Sequence, residues 1–163
     1  MYPALFSPVR IGSLDLPNRV VMAPLTRARA DDAHAPTAIV ARYYAQRADC
    51  GLIVAEGAWP SRDGQAYCRQ PGIATAAQIA GWRAVTDAVH ARGGCIVLQI
   101  MHAGRIGSHH VKGEAAQTVS SSAIRANGEL FTDAAGMQPY DAPRALSTEE
   151  VRGVVAEHRH VVE

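Results

Sequence analysis

Three small or polar residues stand at the ends of short apolar runs, where a parallel α/β sheet would present its chemistry. Thr26 follows the run Val20 to Ala23 by way of Pro24 and Leu25, Gly57 comes just after the run Leu52 to Ala55, and Gln99 closes most of the run Cys95 to Ile100. A primary amide inside an apolar run needs hydrogen-bond partners wherever it is buried, so a plain strand reading leaves Gln99 unexplained. Thr26 and Gly57 have plainer readings beside the binding one, since a threonine can satisfy turn backbone and a glycine can simply end a strand. His102, His109 and His110 are the other concentration of reactive side chains, with Glu114 the only carboxylate close by in sequence. Their spacing lacks the i,i+4 presentation of a zinc-binding helix, and metal binding is not expected. Cys50, Cys68 and Cys95 match neither a disulfide framework nor a CxxC motif and read as three reduced thiols.

These residues can act together only if their runs lie side by side. None of the runs alternates polar with apolar, which fits strands buried on both faces of a parallel sheet. Between the first two, Thr37 to Ala48 carries Ile39, Val40, Tyr43 and Tyr44 to one side and predicts a helix. Between the second and third, Thr75 and Gln78 have capping-box spacing, Ile79, Trp82, Val85 and Val89 recur at helical intervals, and Gly93-Gly94 supplies a left-handed stop. A Gly/Ser/Ala-rich stretch from about His102 to Leu146 far exceeds the roughly 2–6 residues of ordinary α/β connections and predicts a functional or partly disordered loop. Ser147-Thr148-Glu149-Glu150 is a further capping box, opening a helix with Val151, Val154, Val155 and His158 to one side. Val9 to Leu16 reads as two very short strands about a Gly-Ser turn, able to plug the N-terminal mouth of a barrel.

The order strand, helix, strand, helix, strand, loop, helix implies parallel strands joined by right-handed crossovers. Pro24-Leu25-Thr26-Arg27 follows the first strand with no GxGxxG, which disfavours a doubly wound nucleotide-binding sheet. The expectation is α/β: the N-terminal part of a (β/α)8 TIM barrel, about three βα units, with residues 1–163 as one incomplete domain. A chain of 163 residues with 48% apolar and 19% charged residues suits one ordinary globular domain. Sixteen Lys+Arg against fifteen Asp+Glu, scattered singly, give no footprint for nucleic acid or an anionic membrane and favour a small-molecule partner. The N-terminus lacks the pattern of a secretory leader, and no apolar run approaches the ~20 residues that span a bilayer, so a cytoplasmic protein is expected.

Six stretches, in order over essentially the whole chain, resemble the old yellow enzyme family, the FMN-dependent NAD(P)H:flavin oxidoreductases and ene-reductases. They are Leu5-Phe6-Ser7-Pro8, Leu16-Pro17-Asn18-Arg19-Val20 with Met22-Ala23-Pro24-Leu25-Thr26-Arg27, Tyr43-Tyr44-Ala45-Gln46-Arg47-Ala48, Gly51-Leu52-Ile53-Val54-Ala55-Glu56, and Gln99-Ile100-Met101-His102-Ala103-Gly104-Arg105. The resemblance implies FMN as cofactor, NAD(P)H as reductant and an enone-like small molecule as substrate. It implies that Ala23, Pro24, Leu25 and Thr26 lie along the flavin, with the Thr26 hydroxyl tuning its electronics. It implies that Gly57 lets the flat ring approach the backbone and that the Gln99 amide bonds the ring's pyrimidine edge. Tyr67 and Met101 correspond to positions flanking the substrate. Met101 departs from the aromatic of many relatives and would give a softer, roomier wall. His102 and Arg105 are expected to be structural.

The same resemblance places the substrate-anchoring His/Asn or His/His pair, the proton-donating tyrosine and the phosphate-gripping arginines beyond the helix in which this chain breaks off at Glu163, so none of the 163 residues is named as proton donor. A TIM barrel usually needs ~250 residues. The expectation is therefore activity only when a complementary C-terminal barrel segment, or self-association, completes the barrel. Two alternatives stand beside it: a non-catalytic fragment acting at most as an assembly or interaction module, and a non-flavin barrel using the His102/His109/His110 loop with a metal.

Overall fold

The computed structural model describes residues 2–162. Met1 and Glu163, the two ends of the leader and truncation readings, lie outside the described residues. The chain opens with an antiparallel hairpin, β1 (Val9–Ile11) and β2 (Leu14–Leu16), in which Gly12 takes the left-handed turn position at φ 58°. Asn18 then staples the chain: its Oδ1 accepts from the Val20 and Gly51 N–H groups and its Nδ2 donates to the Asp49 carbonyl. A side chain at Gly51 would collide with the Asn18 carbonyl at 2.1 Å, so only glycine permits this approach.

β3 (Val21–Met22), β4 (Leu52–Ala58) and β5 (Ile96–Ile100) form a parallel sheet in that order. The crossovers are α1 (Ala38–Ala45) and α2 (Ala76–His90), which pack on one face of the sheet. The core between them contains Val40, Tyr44, Ile53, Ala55, Ala58, Trp82, Val85 and Val89, with Met22, Ile96, Leu98 and Ile100 against it. The capping box expected at Thr75 is present, with the Gln78 N–H donating to the Thr75 hydroxyl, and Gly93 stops the helix at φ 73°. The predicted stripes are narrower than expected: Ile39 and Ile79 lie outside the core and are exposed.

The long stretch after β5 is ordered by pairing. A turn of helix, α3 (His109–Lys112), leads to β6 (Val119–Ser120), which pairs with β9 (Arg144–Ala145). Between them β7 (Glu129–Thr132) and β8 (Gly136–Pro139) make a hairpin with Gly136 at φ 68°. β7 to β8 had no signal in the Gly/Ser/Ala-rich sequence because its residues are half exposed and need the body of the protein as a template. α4 (Thr148–His160) opens with the predicted Ser147/Glu150 capping box. Its Val151 and Val155 are exposed among the described residues. No described helix is long and apolar enough to cross a membrane.

Candidate functional site

The C-terminal ends of the three parallel strands point to one end of the sheet, and Thr26, Gly57, Tyr67, Gln99 and Met101 lie there or in the loops that follow, whereas Cys50 and Cys95 precede β4 and β5 at the other end. On β5 the core-facing residues are Ile96, Leu98 and Ile100, so Val97 and Gln99 face the other way, away from the helices. Across from them, Val54 pairs with Val97 and Gly57 with Gln99. Ala55 and Ala58, three residues apart, both face the helices, and a β-bulge at Glu56 absorbs the extra residue. The bulge is what keeps Gly57 beside Gln99 on the inner face. Gly57 therefore lies inside β4, one position from its end, and not beyond it as the sequence suggested.

Gln99 is half-buried, and its amide has no hydrogen-bond partner among the described residues. The three atoms nearest to where a Gly57 side chain would stand all belong to Met101, its Cβ and Sδ at 3.0 Å and its Cε at 3.1 Å. Gly57 and Met101 are thus in van der Waals contact, and the thioether is the movable part of that contact.

Thr26 lies in an extended, irregular segment after β3, half-buried, with Ala23 and Leu25 exposed on either side of Pro24. It shares a cleft of ≈ 450 Å³ with Tyr67, Arg69, Leu130, Phe131 and Tyr140. Tyr67 and Thr26 are therefore brought together, whereas Met101 belongs to the Gly57–Gln99 cluster. The hairpin residues Leu130 and Phe131, together with Tyr140, escaped sequence reasoning, because only pairing of the long loop brings them over Thr26. Ala28 and Arg69, which also line this cleft, hold left-handed backbone at φ 52° without being glycine. Such conformations cost of order 1–3 kcal/mol and persist where surrounding contacts over-determine them. Here the Ala30 N–H donates to the Arg69 carbonyl, the Arg69 Nε to the Ala28 carbonyl, and Arg69 pairs with Asp133 of the hairpin at 2.9 Å.

Gln70 also went unnoticed in the sequence, where it is one polar residue of a turn. Fully buried, it donates to the Gly57 carbonyl at 2.9 Å and accepts from the Ala66 and Tyr67 N–H groups, tying the Gly57 backbone to the Tyr67 loop. The three histidines do not form one group. His102 accepts from the Gly104 N–H through Nδ1 and packs beside His158, while His109 pairs with Asp141 at 2.9 Å and stacks on His110. Burial pushes the His102 imidazole below its usual range, so it is a neutral turn-former.

A family model described as NADH:flavin oxidoreductase / NADH oxidase matches residues 4–161. The chain belongs to this family. Among solved structures it is similar to the old yellow enzyme homologue from Zymomonas mobilis, at 42% identity and a TM-score of 0.92, covering 98% of this chain and 44% of that one. It is similar to morphinone reductase at 43% identity and a TM-score of 0.90, covering 99% of this chain and 44% of that one. Among curated proteins, a probable flavin mononucleotide-dependent alkene reductase of Leishmania infantum is 37% identical over 155 residues, covering 93% of this chain and 42% of the relative. The chain thus spans less than half the length of the relatives it matches. It has the fold of the N-terminal part of an old yellow enzyme barrel, and the three-stranded sheet is that barrel's first arc.

Proposed function

We propose that this chain supplies one side of the flavin seat in an FMN-dependent oxidoreductase of the old yellow enzyme type, with NAD(P)H as reductant and an activated alkene or similar enone-like small molecule as acceptor. The observation that carries the reading is Gly57 beside Gln99 on the inner face: a backbone free of side chain next to an amide free of protein partners suits a flat, hydrogen-bonding heterocycle. Family membership supports FMN as that heterocycle.

FMN, when bound, supplies the hydride chemistry. The chain's part is to hold and orient it. Gln99 offers both donor and acceptor to a polar ring edge, and the Thr26 hydroxyl offers a hydrogen bond that tunes the ring. Ala23, Pro24 and Leu25 line the approach, and Met101 swings its thioether off Gly57 to form a wall. Tyr67 and Met101 flank the acceptor from two sides. No residue of this chain is assigned the proton transfer, and we place the phosphate grip and the acid in a complementary barrel segment. Residues 1–163 then act as one incomplete barrel domain, active once that segment or self-association closes the sheet.

The test is colour and turnover. The chain is mixed with FMN and with the C-terminal half of a solved relative such as morphinone reductase, and bound-flavin absorbance and NADPH consumption are recorded. Absence of both sinks the catalytic reading. The inner-face valines Val21 and Val97, 50% and 38% exposed, favour the alternative of a non-catalytic assembly module. A flavin-free, inert chain that forms a defined oligomer would put that alternative in its place.

A further inference from the structure

Glu56 is the extra residue of the β4 bulge and is 0% exposed. A buried carboxylate is costly unless it is paired or richly hydrogen-bonded. Among the described residues Glu56 forms no ion pair. Its Oε2 accepts from the Arg27 backbone N–H at 2.8 Å, and its Oε1 accepts from the Tyr44 hydroxyl at 3.4 Å. The same Tyr44 oxygen accepts from the Glu56 backbone N–H at 2.8 Å, so Tyr44, itself buried on α1, holds both ends of the residue.

A bridge that served stability alone would be better replaced by an apolar pair. What this one does is geometric. Arg27 follows Thr26 directly, and Gly57 follows Glu56 directly. The carboxylate therefore joins the irregular segment after β3 to the strand end carrying Gly57 and, across the ladder, Gln99. The left-handed turn at Ala28 and the two-residue length of β3 leave that segment with little regular pairing of its own.

Building on the flavin-seat reading above, we propose that Glu56 is a positioning residue. Its bond to the Arg27 N–H, braced by Tyr44, sets the separation between the Thr26 hydroxyl and the Gly57–Gln99 pair, so that all three can meet one ring. Without it the seat comes apart into two halves that no longer fit the same ligand.

The experiment compares the full chain with Glu56→Gln, Glu56→Met and Tyr44→Phe. Glutamine keeps an acceptor for the Arg27 N–H, and methionine keeps the volume but accepts nothing. Hydrogen exchange at the Arg27 amide, read without flavin, should speed up about tenfold in Glu56→Met, the equivalent of ~1.4 kcal/mol for one lost bond to a buried carboxylate. It should change by less than about threefold in Glu56→Gln. In FMN titrations followed by fluorescence, Kd should rise about tenfold for Glu56→Met, with a shift of the bound-flavin absorption bands that Glu56→Gln does not show. Val89→Ala, a core truncation remote from the segment, controls for loss of stability and should move neither readout. If Glu56→Met fails to fold, Tyr44→Phe carries the same test, with Arg27 exchange and FMN Kd both raised by about threefold or more. Unchanged Arg27 exchange and unchanged FMN affinity in a folded Glu56→Met overturn the proposal while leaving the flavin seat intact. A wild-type chain that binds no FMN, alone or completed by a relative's C-terminal half, overturns the flavin seat itself, and the positioning role falls with it.

Discussion

Replacing Gly57 by alanine tests the inner-face geometry with one methyl group. That carbon would stand 3.0 Å from both the Cβ and the Sδ of Met101, where ordinary contact between such atoms is ~3.5–4.0 Å. The sulfur and methyl can swing away by changing rotamer, at roughly 0.5–1.5 kcal/mol. The Cβ cannot swing, because the Met101 N–H is held by the Ala58 carbonyl at 2.9 Å. Backbone and side chain must both give, as in other overpacked cores, and the cost should be about 2 kcal/mol. For a domain of this size that lowers Tm by roughly 4–8 °C, measurable by circular dichroism. Met101→Ala removes the Sδ and Cε contacts and leaves the Cβ one, so the double variant should recover about half of the loss. The flavin readout is separate: the added methyl occupies the face proposed for the ring, and Met101→Ala does not remove it. FMN binding should therefore stay weakened in the double variant even as stability returns. A Gly57→Ala protein as stable as wild type, with effects additive to those of Met101→Ala, would refute the packing on which this rests.

Gln99→Leu keeps the volume and removes both polar functions; it should leave the unfolding free energy within about 0.5 kcal/mol of wild type, because no protein group loses a partner, while FMN Kd rises roughly tenfold by fluorescence titration. Thr75→Ala removes the acceptor for the Gln78 N–H and should cost about 1 kcal/mol, seen as a shift of the urea midpoint without a change in slope. Lys112 is 2% exposed, donates to the Asp63 and Gln117 carbonyls, and is pushed down by burial to about 8 from an ordinary value of 10.5. Between those values the unfolded chain binds the proton and the folded chain releases it, so stability attributable to Lys112 rises with pH across that window. Relative to Lys112→Met, wild type should gain stability from pH 8 upward, and a difference flat with pH would contradict the buried placement.

What could be read from sequence was what depends on short-range periodicity and on local hydrogen bonds. The capping boxes at Thr75 and Ser147 need only residues three apart, and both are present. The three apolar runs became the parallel strands: their helix-facing residues pack in the core beneath α1 and α2, while Val21 and Val97 on the other face stay exposed in this three-stranded arc. What depends on registry was hidden. Whether Gly57 ends a strand or lies within it turns on a bulge at Glu56, and nothing in Ala55-Glu56-Gly57-Ala58 distinguishes a bulged residue from a paired one. The place of the hairpin over Thr26 and the Gln70 clasp were hidden for the same reason: the hairpin is seated by bonds to Cys68 and Arg69, more than sixty residues away, and the clasp by the Gly57 carbonyl, neither of which short-range periodicity reveals. Tyr67 and Met101, both expected from the resemblance to flank a substrate, have different immediate neighbours, one beneath the hairpin and the other against Gly57.

Buried polar groups tie these separate parts to one strand end. Glu56 and Gln70 are both fully buried, and both reach the end of the central strand β4, one through its own backbone and the other through the Gly57 carbonyl. Glu56 carries the link outward to the Thr26 segment, and Gln70 carries it to the Tyr67 loop. An apolar contact at either place would tolerate a shift of an ångström at little cost, because dispersion is shallow and non-directional. A hydrogen bond of 2.8–2.9 Å made by a buried side chain does not tolerate it, because the alternative is an unpaired polar atom of that side chain away from water. The desolvation of two polar side chains is thus the cost of fixing two irregular segments to one strand end, and the left-handed turns at Ala28 and Arg69 are held in place by the same constraint. Rigidity at this end of the sheet comes from its polar interior, while the apolar core beneath α1 and α2 supplies the stability against which that cost is set.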